Sequence, residues 1–122
     1  MLRGGLRGQV QPASGRFDKV GGAFGWKPHK LDPKECAQVA YDGYWYKGFG
    51  CGFGAFYSIV GLMGEKYGAP YNQFPFAMLE AHKGGISDWG SICGALYSAA
   101  ATFSLFWRPQ GSAPIVARAL RC

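Results

Sequence analysis

The reading of the fold turns on residues 32–68, DPKECAQVAYDGYWYKGFGCGFGAFYSIVGLMGEKYG. Asp32 is a good helix cap, Pro33 suits the first helical position, and Glu35 stands three residues after the cap, the spacing of a capping box. These signals predict a first helix over about 33–47, with Cys36, Val39, Ala40 and Tyr44 on one stripe and Gly43 weakening it. Gly48 and Gly50 interrupt that helix. A second is expected over about 51–67, stopped by Gly68 ahead of Pro70. Downstream, Pro75 and the pair Gly84–Gly85 bound a short third helix over about 75–82. A fourth follows Asp88 and runs to about 107, where Pro109 ends it. No segment alternates as strands do. The expected fold is therefore all-α, a small four-helix bundle.

The flanks are of another kind. Residues 1–31 form an extended arm rich in Gly and Pro, with Phe24 and Trp26 as anchors. Residues 32–107 make the helical domain. Residues 108–122 form an irregular tail in which Ile115 to Leu120 could be helical. The arm carries no apolar stretch of the length an export signal needs.

Composition limits the function. The chain has 122 residues, room for one domain. With 48% apolar residues and as many aromatics as charges, it has too much to bury to stay disordered. The net charge of +6 is uneven: residues 1–30 carry +5, residues 31–107 carry −2 and residues 108–122 carry +3. Basic residues at the two ends, away from the aromatic body, argue against a nucleic-acid binder.

Residues 89–107 and 48–64 carry no charge, and Trp89 and Trp107 bracket the first of these runs. A membrane hairpin and a buried helix pair share that pattern. The Gly, Ser and Ala content of both runs, and the charged loop between them, favour the buried pair. Gly90, Gly94, Ser98 and Thr102 recur at steps of four, as do Gly50, Gly54 and Ser58. Such faces allow close backbone approach, so the second and fourth helices are expected to touch there.

The four cysteines are Cys36, Cys51, Cys93 and Cys122, and no Cys-x-x-Cys occurs. Thioredoxin-type pairs, zinc knuckles and Cys-x-x-Cys-His haem attachment are thereby excluded. One helix separates the second from the fourth, so in an up-down bundle those two run parallel. Cys51 and Cys93 then fall at the same end, each in the first turn of a helix whose positive pole favours thiolate. Cys36 belongs at the far end, and Cys122 is terminal. Against any such role stands plain packing, because free cysteine is often a small buried hydrophobe. His29, in WKPHK, and His82, near the end of the third helix, have ordinary structural explanations as a loop hydrogen-bonder and a helix-end cation. No acid/base constellation, P-loop or nucleophile motif is present, which argues against an enzyme.

Two stretches carry a resemblance. YDGYWYKGFGCGFGAFYSIVGLMGEKYG and GGISDWGSICGALYSAA resemble the redox-active proteins named for a Cys, Gly-Cys-Ala-x-x-Gly, Cys, Cys pattern. AFGWKPHKLDP, EKYGAPYNQFPF and KGGISDWGSICGAL resemble, within that group, the split-Soret cytochromes c, over about residues 16–107 and as the N-terminal part only. The resemblance implies an electron-transfer or redox-active protein of the periplasm. It would contain c-type haem and an iron–sulfur centre, and would work as a homodimer or with an electron-transfer partner. It implies Cys51 and Cys93 as cluster or redox ligands, Cys36 and Cys122 as additional ones, and His29 as an axial ligand to haem carried elsewhere. The family's haem-attachment motifs would fall beyond residue 122, and RPQGSAPIVARALRC departs from the expected continuation, as in a truncated or frame-shifted gene. If the start is genuine, the expected location is the cytoplasm. The competing expectation is a non-catalytic helical interaction module or membrane hairpin whose cysteines only pack.

Overall fold

A computed structural model describes residues 25–107, together with 114, 115, 117 and 118. The described residues are all-α, without strands. Helix α1 spans Pro33–Trp45. Helix α2, Gly50–Phe56, continues through a π turn, Tyr57–Gly61, into α3, Leu62–Tyr67. Two 3₁₀ segments follow, Tyr71–Gln73 and Phe76–His82, and α4 spans Gly94–Phe106.

The start of α1 forms as its sequence dictates. The Asp32 carboxylate accepts from the Lys34 amide at 3.0 Å, with Pro33 in the first turn. Glu35 does not close the capping box. Its carboxylate instead pairs with Lys66 at 2.7 Å, tying α1 to α3. Helix α1 ends two residues earlier than expected because Tyr46 turns extended, at ψ 113°, and Lys47 then takes a positive φ of 48°.

The α2–α3 rod is the spine. It supplies Phe53, Phe56, Val60 and Met63 to the core, joined by Tyr71, Leu79 and Phe106. Helix α1 lies antiparallel on it: a Cβ on Gly54 would press on the Ala40 carbonyl and the Tyr44 amide. The expected third helix is instead 3₁₀.

The start of α4 is the main departure. Residues 89–93, expected to open the fourth helix, are not helical. Gly84, Gly85, Ile86, Ser87 and Asp88 all take positive φ, between 49° and 69°. This left-handed winding is held by Asp88 to the Lys83 carbonyl, Gly90 to Gly84 and Ser91 to Gly85. Helix α4 therefore begins at Gly94, and Cys93 caps it rather than standing in its first turn.

Gly94, Ser98 and Thr102 form the buried face of α4, as their spacing predicts. Their partner on the spine is Gly52, whose Cβ would stand 3.1 Å from Ser98 Oγ. Gly54, expected there, faces α1 instead, and Gly90 lies outside the helix.

Ahead of α1, residues 25–31 form no helix or strand and pack on the bundle as a strap. The Trp26 amide donates to the Leu105 carbonyl at 2.8 Å, and Tyr71 donates its hydroxyl to the Lys27 carbonyl. The rest of the expected arm, residues 1–24, lies outside the described residues. Of the tail, the described positions 114, 115, 117 and 118 are helical. Among the described residues no helix is long and apolar enough to cross a membrane. At 1.5 Å per residue α4 reaches about 20 Å, short of the ~30 Å hydrocarbon core.

Candidate functional site: a cysteine pole at the parallel helix starts

Helices α2 and α4 start together. Cys51, half-buried, lies in the first turn of α2, and its Sγ would stand 3.0 Å from a Cβ on Gly94, the residue after Cys93. Cys93 is exposed. The two cysteines thus share one end of the bundle. Glycine makes this approach possible. A Cβ on Gly94 would overlap the His82 carbonyl, and one on Gly52 would overlap the His82 side chain. Gly50, at φ 80°, takes the aliphatic stem of Lys83 against its own backbone.

His82 fills the angle between the helix starts. Its Nδ1 is 2.7 Å from Ser98 Oγ, and Ser98 is fully buried on α4. The Tyr97 ring meets the imidazole edge-on at 4.6 Å. Burial pushes the His82 pKa below its usual value, favouring the neutral ring. From its position alone, His82 is expected only as a helix-end cation. The signal that could have found it was its place just before Gly84–Gly85, with Ser98 on the small-residue face of the fourth helix.

Cys36 and His29 stand elsewhere. Cys36 lies on α1 at the opposite end, where burial first, and then the Glu35 and Asp32 carboxylates, push its thiol up. It lines an apolar cavity of about 660 Å³, together with Ile59, Met63, Phe103 and Phe106. His29 lines the same cavity and stacks on Tyr67, ring centroids 3.9 Å apart. Sixteen residues separate Tyr67 from Cys51, about 24 Å of helix. Cys122 lies outside the described residues. Among the described residues, no group of three or more His, Cys, Asp or Glu side chains is placed to hold a metal ion.

No family model matches the chain. Over 109 residues, however, it is 89% identical to split-Soret cytochrome c of Desulfovibrio desulfuricans, a match covering 89% of this chain and 39% of the relative. The chain is similar to the N-terminal part of split-Soret cytochrome c. A solved structure that reports a novel iron centre in the split-Soret cytochrome c of that organism superposes with a TM-score of 0.78 at 89% identity. That superposition covers 83% of this chain and 42% of the other. The resemblance read from the sequence is borne out, as is the all-α fold. The chain spans about two fifths of the length of the relative it matches.

Proposed function

We propose that this chain is the iron-binding helical portion of an electron-transfer protein, and that Cys51 and Cys93 supply thiolate ligands to its iron centre. The observation that carries this is the shared pole: Cys51 Sγ rests against the residue that follows Cys93, and Cys93 is open to solvent. The similarity to a cytochrome whose solved structure reports an iron centre supports the class of chemistry.

Two thiolates are half of what an iron–sulfur cluster takes. Cys36 cannot complete the set from the other end of the bundle, so the remaining ligands come from outside the described residues. The bound iron would supply one-electron chemistry. The chain's own part is to hold two sulfurs on rigid helix starts, with Cys93 at the surface where an electron-transfer partner or a second copy can approach. His29 enters the same proposal as an axial ligand to haem held elsewhere in a longer protein. Tyr67 stacks on the His29 ring face, and Tyr71 meets the ring at a steep angle. The chain has no Cys-x-x-Cys-His of its own. A periplasmic location belongs to this proposal too.

Iron and acid-labile sulfide analysis after anaerobic preparation tests it. Bound iron and visible absorbance are expected, both lost in Cys51→Ser and Cys93→Ser. A colourless, iron-free protein in which these substitutions change only the melting temperature would leave the cysteines a packing role.

A further inference from the structure

A second feature lies on the other flank of the spine, in a groove of about 690 Å³ whose wall includes Tyr46, Phe53, Tyr57, Glu65 and Phe76. Three of these rings form a column. Tyr46 stacks on Phe53 at 5.7 Å and 21°, and Phe53 on Tyr57 at 5.5 Å and 22°. At the Tyr57 end of the column, Tyr57 donates its hydroxyl to the exposed Glu65 Oε1 at 2.8 Å.

That hydrogen bond is built by the backbone. Helical side chains tilt toward the N-terminus, so a tyrosine would not ordinarily reach a residue eight positions ahead. Here Tyr57 opens the π turn, and Gly61 carries no side chain where the ring lies; a Cβ there would overlap the Tyr57 ring. π turns of this kind recur at functional positions.

We propose that Tyr57 and Glu65 form a proton-coupled redox pair, in which Tyr57 yields an electron to an oxygen-derived radical and passes its phenolic proton to the Glu65 carboxylate. The radical gains one electron and becomes its anion. The phenolic O–H bond breaks, a carboxyl O–H bond forms, and a neutral tyrosyl radical remains on Tyr57. The alternatives within the column are worse placed. Phenylalanine is far harder to oxidise than tyrosine, so Phe53 serves as a spacer. The Lys47 ammonium lies 5.3 Å from the Tyr46 ring centroid, and a nearby cation disfavours a positive hole on that ring. Outside the column, the buried Tyr71 donates to a backbone carbonyl, a poor proton acceptor. Burial, and then the hydrogen bond and charge of Glu65, push the Tyr57 phenol up to about 12, so the proton is in place at neutral pH. The proposal does not rest on the iron centre, and holds whether or not the cysteine pole binds metal.

Photogenerated tris(bipyridine)ruthenium(III) serves as the oxidant, with transient absorbance and freeze-trapped electron paramagnetic resonance as readouts. Wild-type protein is expected to form a tyrosyl radical at a rate independent of buffer concentration, because Glu65 takes the proton. Tyr57→Phe should abolish that phase, and Tyr67→Phe, outside the column, should leave it. Glu65→Gln should slow it at least tenfold and make it depend on buffer base, with Glu65→Asp intermediate. Glu65 is exposed and Tyr57→Phe removes only a hydroxyl, so both variants are expected to fold; circular dichroism checks this. A radical formed at the wild-type rate in Tyr57→Phe, or unchanged buffer-independent kinetics in Glu65→Gln, would overturn the pair.

Discussion

The two ends of the α2–α4 helix pair are packed in opposite ways. At the cysteine end the packing is close: a Cβ on Gly94 would overlap the His82 carbonyl and press on Cys51 Sγ, and one on Gly52 would overlap the His82 side chain and press on Ser98 Oγ. At the far end the helices are spaced by Met63, Phe103 and Phe106, and an apolar cavity of about 660 Å³ opens among them. A run of small residues therefore does more than bring two helices together. It pins one end and leaves room at the other. Sulfur held at the pinned end has little freedom to drift, whereas His29 and Cys36 border open space.

The strongest way to break this contrast is Gly94→Ala. The added methyl would overlap the His82 carbonyl, which is backbone and cannot step aside, and would press on Cys51 Sγ, so a loss of about 3 kcal/mol is expected. For a domain of this size that lowers the melting temperature by more than about 10 °C. A thermal melt that leaves Gly94→Ala at the wild-type value would mean that the pinned end is loose.

A middle-sized effect comes from acid. The His82 pKa in the folded state lies below its value of about 6.5 in the unfolded chain. Between those two values the unfolded state binds the extra proton and the folded state does not, so stability falls as pH drops below about 6.5 and is flat above it. Melting curves from pH 8 to 5 should show that decline in wild-type protein. His82→Gln should flatten it.

The smallest effect is expected at the open end. Ala99 lines the cavity, and Ala99→Leu should fill part of it, gaining about 0.5–1 kcal/mol in a urea titration. If Ala99→Leu proves more costly than Gly94→Ala, the assignment of tight and open ends is reversed.

Much of this contrast was legible in the sequence. Asp32 and Pro33 write the start of α1, and Gly94, Ser98 and Thr102 at steps of four announce the buried face of α4. The parallel starts follow from counting helices. The residues that did not declare themselves are those whose backbone breaks the rules of their type. Ile86, Ser87 and Asp88 wind left-handed, which a β-branched residue such as Ile86 ordinarily avoids, so nothing in SDWGSICG revealed that α4 would start at Gly94. The choice of Gly52 over Gly54 as the partner of α4 depends on which side of the spine α1 occupies, a fact of tertiary packing. His82 was read alone because its partner, Ser98, sits sixteen residues on and joins it only once the left-handed turn has folded the chain back.

The strap ahead of α1 adds one more consequence. Because the Trp26 amide is bonded to the Leu105 carbonyl in the last turn of α4, the two margins of the described domain are laced to each other. Neither can fray alone: releasing the strap frees the Leu105 carbonyl of α4 and uncovers Tyr71 in the same event. Exchange of the Trp26 amide with solvent deuterium is thus a report on the whole seam, and the slow opening that it times is shared by residues at opposite margins of the described domain.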